Sequence, residues 1–107
     1  MPRFMLQTLT EQMFYVLLCL KEECYGLEIF DRIERMTGGR VRIGSGTLYN
    51  LLEQFLGAGL IREVRVDGRR RSYILTYAGE QKLRRETERL QAQIDDYKAV
   101  FGKEKGI

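Results

Sequence analysis

Apolar residues recur every three or four positions in three separate segments of the first sixty residues. This period is typical of amphipathic helices, and it predicts helices over about 9–21, 26–37 and 46–57. The stripe of the first helix consists of Leu9, Met13, Val16, Leu17 and Leu20. The stripe of the third helix consists of Leu48, Leu51, Leu52, Phe55 and Leu56.

The residues between these segments indicate where helices begin and end. Thr8 and Glu11 have the spacing of a capping box at the start of the first helix. Gly38-Gly39 ends the second helix, because glycine readily adopts the left-handed conformation that often follows a helix. Residues 40–43 alternate polar and apolar side chains, which predicts a short strand.

A β-hairpin is predicted after the third helix. Residues 61–66 and 71–76 form its strands, and they flank Asp67-Gly68, one of the strongest short hairpin signals. The apolar residues of the first strand do not alternate perfectly, so we expect a bulge or an irregular strand end.

The last predicted element is a long helix over about 77–101 with a narrow apolar seam. The seam residues are spaced alternately four and three positions apart, which is the heptad pattern of a helix that packs against one partner helix. These residues are Leu83, Thr87, Leu90, Ile94, Tyr97 and Phe101. We expect this seam to mediate homodimerisation; the alternative is that the helix packs onto its own domain. Residues 103–107 are expected to form a flexible tail.

Positive charge is concentrated in the middle of the chain. The formal net charge is +3, yet residues 40–75 contain seven arginines, no lysine and only three acidic residues. Three of these arginines, Arg69, Arg70 and Arg71, follow the predicted hairpin turn. Arginine presents a planar set of donors suited to phosphate and to guanine edges, so the charge favours a nucleic-acid partner over a merely solvated face.

The cysteine and histidine content argues against catalysis. The chain has no histidine, which removes the commonest general base. Cys19 lies in an apolar run, and Cys24 is expected in a turn beside Glu22 and Glu23, whose charge disfavours a thiolate. Two cysteines without histidine do not form a zinc site. We therefore expect no enzyme activity, no cofactor and no metal, in a reducing cytoplasm, and no apolar run approaches the ~20 residues of a membrane span.

The order of helix, helix, short strand, helix and hairpin is that of a winged helix-turn-helix. We expect a mainly α fold class with a small β-hairpin wing. We expect residues 1–76 to form the DNA-binding domain and residues 77–102 to form a dimerisation helix. In this layout the third helix enters the major groove, and the wing lies along the backbone or in the minor groove. Candidate DNA contacts are Ser45, Gly46, Thr47, Tyr49, Asn50, Gln54, Arg69, Arg70 and Arg71.

Some of these candidates also have a purely structural interpretation. Ser45 is equally suited to be the N-cap of the third helix. Tyr49 and Thr47 could serve only in packing. Strand alternation also implies that one of the three wing arginines points away from the other two.

The chain resembles the PadR-like transcriptional regulators from about Leu9 to beyond Gly79. The resemblance is carried by Tyr25-Gly26, Gly46-Thr47-Leu48-Tyr49, Gly59-Leu60-Ile61, the segment Gly68 to Thr76, and Gly79. It implies a dimeric, mostly repressing regulator of the short subgroup with one C-terminal dimerisation helix, and it adds Tyr25 to the candidate DNA contacts. Asn50 stands where the family usually has proline, and Leu90 stands near the place of an aromatic residue that some relatives use to bind flat ligands.

The leading function is therefore a sequence-specific repressor that binds double-stranded DNA. A winged-helix protein–protein adaptor is the alternative, with the wing arginines meeting an acidic partner. A small aromatic effector is expected in an apolar space between the C-terminal and first helices of a dimer, lined by Phe4, Met5, Phe14, Leu90, Ile94 and Tyr97. The other interpretation is that these residues form a packed dimer core.

Overall fold

Four helices and three strands make up the fold, in a computed structural model that describes residues 8–105. The helices are α1 (Glu11–Cys19), α2 (Gly26–Thr37), α3 (Ser45–Gly57) and α4 (Tyr77–Lys105). The strands are β1 (Cys24–Tyr25), β2 (Ile61–Asp67) and β3 (Arg70–Leu75). The predicted fold class, a mainly helical winged helix-turn-helix with a hairpin wing and a long last helix, is confirmed.

The sheet is antiparallel, with β3 between β1 and β2. Its first strand is not the one predicted. Residues 40–43 form a loop, in which the backbone N–H of Val41 donates to the Thr37 hydroxyl at 3.2 Å. Cys24 instead pairs with Tyr73, and the two-residue strand β1 therefore lies along one edge of β3. An alternating pattern of four residues was misleading because Val41 is buried by packing rather than by strand pairing.

The hairpin has the predicted bulge, which lies between Glu63 and Arg65. Its turn is one residue later than predicted, because Asp67 pairs with Arg70 and belongs to β2. Gly68 has a φ of +66°, while no non-glycine residue in the described part of the chain has a positive φ. This combination is typical of a type II′ turn, which prefers glycine at its first central position.

Two helix starts differ from the predicted ones. The N-cap of α1 is Thr10 and not Thr8, since the Thr10 hydroxyl accepts from the Met13 N–H at 3.1 Å. The N-cap of α3 is Gly44, so Ser45 is the first helical residue instead of the cap. Alternative caps lie within one or two residues of each other in both segments, and the paths of the preceding loops decide between them.

The core joins the inward faces of α1, α2 and α3 to the sheet. Its fully buried large side chains are Val16, Leu17, Leu20, Ile29, Ile33, Leu48, Leu52 and Phe55. Leu83 of α4 also belongs to this core. Leu83, which the heptad pattern placed in the dimer seam, thus has its side chain covered by its own domain.

Helix α4 packs on the domain near its N-terminal end. The Glu86 carboxylate is buried and accepts hydrogen bonds from the Leu9 N–H at 3.1 Å and from Arg89. Every side chain from Leu90 to Phe101 is exposed. The helix continues to Lys105, so residues 103–105 are helical where a flexible tail was predicted. At 1.5 Å per residue the helix is about 43 Å long, and it projects well beyond the small domain.

Candidate nucleic-acid interface

The first turns of α3 present one polar, solvent-exposed face. Leu48, Leu51 and Leu52 turn inward, which leaves the intervening side chains outside. The exposed residues are Ser45, Gly46, Thr47, Tyr49 and Asn50, with Gln54 half-buried one turn later. The first turn of α3 contains no acidic residue and has no side-chain cap, so its N–H groups are open to an anion.

The three wing arginines have different surroundings. Arg69 lies in the hairpin turn and is exposed. The Arg70 guanidinium lies over the Tyr25 ring, 4.1 Å from its centroid, in a cation–π contact. Arg71 pairs with the Glu63 carboxylate at 3.0 Å. One arginine is thus neutralised locally, whereas Arg69 and Arg70 form no ion pair with any residue that the structure describes.

The start of α2 connects α3 to the wing. A Cβ at Gly26 would lie 3.1 Å from Cε1 of Tyr49, which shows how closely the Tyr49 ring packs on this backbone. Tyr25, the neighbouring residue, contacts Arg70. Tyr49 thus has the packing role anticipated from the sequence, while its side chain remains 41% exposed.

A cleft of about 510 Å³ opens between the wing and the helices. We call it the wing cleft. Its lining brings together five of the ten predicted DNA contacts, which lie on β1, α3 and the hairpin, and it adds residues that were not predicted to contact DNA. The lining residues are Tyr25, Gly26, Leu27, Tyr49, Leu52, Glu53, Leu56, Arg69, Arg70, Arg71 and Tyr73.

A polar network that the sequence did not reveal attaches the wing to the domain. Ser72 is fully buried, and its hydroxyl donates to the Glu23 carboxylate at 2.6 Å. The same hydroxyl accepts from the Arg65 N–H at 3.1 Å, beside the bulge. Arg65 also pairs with Glu23 at 3.2 Å. These partners are 42 and 49 residues from Glu23 along the chain, so no local pattern could have identified them.

The predicted dimer seam, apart from Leu83, lies on the free part of α4. Leu90, Ile94, Tyr97 and Phe101 are 37–56% exposed. The Tyr97 and Phe101 rings contact each other, with centroids 4.9 Å apart. Val100 is also exposed and apolar, although it lies outside the heptad positions. Thr87 is exposed, and its hydroxyl donates to the Arg84 carbonyl.

The predicted effector residues do not form one site within a single chain. Phe4 and Met5 lie outside the described residues. Phe14 is half-buried and packs against the core, with its ring edge-on to Tyr15. The remaining three, Leu90, Ile94 and Tyr97, are exposed on α4.

The two cysteines are unreactive thiols. Both are buried, and burial raises the pKa of each to about 11. The sequence predicted that Cys24 lies in a turn and that the charges of Glu22 and Glu23 disfavour its thiolate. In the structure Cys24 lies in β1, and the acidic neighbour that also raises its pKa is Glu28. Within residues 8–105, no cluster of potential metal ligands occurs, and no helix is sufficiently long and apolar to span a bilayer.

Solved structures of similar fold include transcriptional regulators from several bacteria. A PadR family regulator from Eggerthella lenta has a TM-score of 0.73 at 22% identity, over 84% of this chain and 80% of that one. A transcriptional regulator from Clostridium thermocellum has a TM-score of 0.69 at 23% identity, over 88% and 91%. Bacillus subtilis PadR, solved in complex with operator DNA, has a TM-score of 0.61 at 23% identity, over 69% and 45%.

The comparison with protein-family models agrees with the fold, whereas no curated protein matches the chain. The family model described as "Transcriptional regulator PadR-like family" matches residues 16–85, from within α1 into α4, and so includes α3, the wing and the attachment of the last helix. This chain therefore belongs to the PadR-like family, whose members are transcriptional regulators and not enzymes.

Proposed function

We propose that the protein is a sequence-specific DNA-binding regulator that acts as a homodimeric repressor. The observation that carries this proposal is the common surface formed by α3 and the wing. Tyr25 contacts Arg70 of the wing, and the adjacent Gly26 contacts Tyr49 of α3, so both elements are held against the start of α2. The operator complex of Bacillus subtilis PadR, a protein of similar fold, supports the choice of DNA as the partner.

The exposed face of α3 provides the base-reading groups in this proposal. Amides and hydroxyls can hydrogen-bond to base edges in the major groove, whereas backbone N–H groups at a helix start favour phosphate. The base-reading residues are Thr47, Asn50 and Gln54. Ser45, Gly46 and the Tyr49 hydroxyl would contact the adjacent phosphates.

The wing provides sequence-independent affinity. Arg69 and Arg70 carry charge that no acidic residue of the described chain offsets, so each releases counterions when it contacts a phosphate. Arg71 contributes less, because Glu63 already compensates its charge at 3.0 Å.

The free part of α4 is the proposed dimer interface. Leu90, Ile94, Tyr97 and Phe101 lie along the free part of α4, and each is partly exposed in the single chain. Burying this seam against a second copy follows the heptad geometry. A two-fold dimer would present two α3 helices to half-sites about 34 Å apart.

Relief of repression by a small apolar ligand remains a prediction within this proposal. A ligand between the α4 helices of a dimer would lower DNA affinity only if it bound better to a spacing of the α3 helices that does not fit DNA. Leu90, Ile94 and Tyr97 are the residues on α4 that would contact it.

Footprinting on DNA upstream of the protein's own gene tests the proposal. We expect one symmetric protected site, with much weaker binding to a shuffled duplex. Leu90→Glu places a charge in the seam and should yield monomers with reduced DNA affinity. Gln93→Glu, a change at an exposed position outside the seam, should leave the dimer intact in sedimentation. Equal affinity for specific and shuffled duplexes, together with salt-dependent binding to an acidic protein, would favour the adaptor alternative.

A further inference from the structure

We infer that Glu53 of α3 is a specificity-determining residue, whose carboxylate accepts a hydrogen bond from the amino group of a cytosine in the major groove. Glu53 thus joins Thr47, Asn50 and Gln54 as a fourth base-reading residue, and its role rests on the proposed DNA-binding function. Unlike the other three it is acidic, and an ionised carboxylate only accepts hydrogen bonds, so its charge restricts the base that it contacts.

Glu53 lies on the outermost line of α3. It follows Gly46 by seven residues and Asn50 by three, and residues at this spacing lie above one another on one face of a helix. Leu48 and Leu52 are buried on the opposite face, whereas Glu53 is exposed. At 1.5 Å per residue, Glu53 lies about 4.5 Å beyond Asn50 along the helix axis. This distance is close to the spacing of about 3.4 Å between base pairs, so both residues reach neighbouring base pairs.

The Glu53 carboxylate has no cationic partner among the residues that the structure describes. It lines the wing cleft together with all three wing arginines, yet it belongs to none of the ion pairs. Arg71 pairs with Glu63 instead, and Arg70 lies over the Tyr25 ring. The carboxylate is therefore available to a group on DNA that donates a hydrogen bond.

A carboxylate on this face selects among the four bases by charge. In the major groove cytosine presents an amino donor, whereas guanine presents two acceptors and thymine presents one. Adenine also has an amino donor, but its N7 acceptor lies beside it and repels a carboxylate. Phosphates repel the same group. Glu53 therefore favours cytosine and weakens binding to other sequences, and specificity arises partly from this repulsion.

Selection of duplexes from a random pool, followed by fluorescence anisotropy on duplexes that differ at one base pair, tests this contact in the full chain. For the wild type we expect a C·G pair within two base pairs of the one whose preference Asn50→Ala relaxes. Glu53→Ala should reduce the preference for cytosine at that pair by about fivefold or more. Glu53→Gln should bind the adenine duplex at least as tightly as the cytosine duplex, because an amide pairs with both N6 and N7 of adenine.

Binding to a shuffled duplex measures the repulsion. Glu53→Ala and Glu53→Gln should both bind this duplex about twofold or more tightly than the wild type, because each removes a negative charge that faces the phosphates. Glu88→Gln is the matched control, since Glu88 is an exposed glutamate of α4 and its substitution changes the net charge by the same amount as Glu53→Gln. We expect Glu88→Gln to retain the base preference and the shuffled-duplex affinity of the wild type.

The outcomes distinguish the Glu53 contact from the proposed function. If the wild type selects one sequence and both Glu53 variants keep every base preference, the contact is wrong while the proposed function stands. Tighter binding of all duplexes by these variants, with unchanged preferences, would show that the carboxylate restrains a wing arginine instead of reading a base. An equal gain on the shuffled duplex in Glu88→Gln would overturn the repulsion. A wild type that selects no sequence would contradict the proposed function itself, and the Glu53 contact with it.

Discussion

Replacing Gly79 by alanine should destabilise the attachment of α4 to the domain. Gly79 lies in the first turn of α4, where a Cβ would be 2.2 Å from the Leu60 carbonyl oxygen and 2.6 Å from Cδ1 of Leu75. That oxygen accepts a hydrogen bond from the Thr76 N–H at 3.0 Å, so it cannot retreat without losing this partner. The methyl group can therefore be accommodated only if α4 moves away from the sheet.

The expected loss follows from three opposing contributions. Alanine in place of glycine favours the helix by about 1 kcal/mol. Overpacking of a close contact costs about 1–3 kcal/mol, and a weakened backbone hydrogen bond costs about 1 kcal/mol more. The net decrease in the free energy of unfolding is then about 1–3 kcal/mol, and each kcal/mol lowers the Tm of a domain of this size by about 4–8 °C.

Thermal unfolding followed by circular dichroism measures this effect. Gly57→Ala is the matched control, because Gly57 is the last residue of α3 and a Cβ there would have no neighbour within 4 Å. We expect Gly57→Ala to be neutral or slightly stabilising. A Gly79→Ala protein with the Tm of the wild type would refute the argument that α4 is seated directly on the Leu60 backbone.

Three further predictions concern DNA binding and pH. Arg69→Ala should reduce the slope of log K for DNA binding against log salt concentration by about 0.9, for one lost phosphate contact. Arg71→Ala should reduce this slope less, because Arg71 is paired with Glu63. Equal slopes in both variants would show that the pair opens on DNA. Asn50→Ala should cost about 1–3 kcal/mol on the specific site and relax the preference at one base pair, and a selection experiment returning the wild-type sequence would contradict this. The hydrogen bond from Arg89, followed by that from the Leu9 N–H, holds the pKa of Glu86 below its ordinary value. The stabilisation by these hydrogen bonds is thus present above a pH of about 4.3 and is lost as the pH falls toward the lowered pKa. The free energy of unfolding should therefore decrease less steeply with falling pH in Glu86→Gln.

The helical segments could be predicted because each buries one face of its own sequence. The apolar spacing located α2 within its observed bounds, and the glycine pair after it ends the helix as expected, with Gly38 at a φ of +61°. The β-hairpin followed from Asp67-Gly68 in the same way, apart from a shift of one residue. Such features depend on neighbours within a few positions, and a single sequence therefore contains the necessary information.

Other features depend on contacts between elements and could not be predicted from one segment. The pairing of Cys24 with Tyr73 determines which segment becomes β1, and no residue near Cys24 signals it. Leu83 occupies a heptad position, yet it is buried in the domain core because this part of α4 packs on the domain. The pairing of Arg71 with Glu63 likewise depends on the register of β2 and β3 across the hairpin.

The sequence by itself determined the order of the elements, the cationic wing and the polar outer face of α3, because periodicity and charge are local properties. Only the tertiary structure decided that Tyr25, Tyr49 and Arg70 surround one cleft. These residues meet because Gly26 allows α3 to approach α2 closely and because the Glu23–Ser72 hydrogen bond fixes the base of the wing. Such a convergence depends on packing between elements more than twenty residues apart, which the pattern of one segment cannot encode.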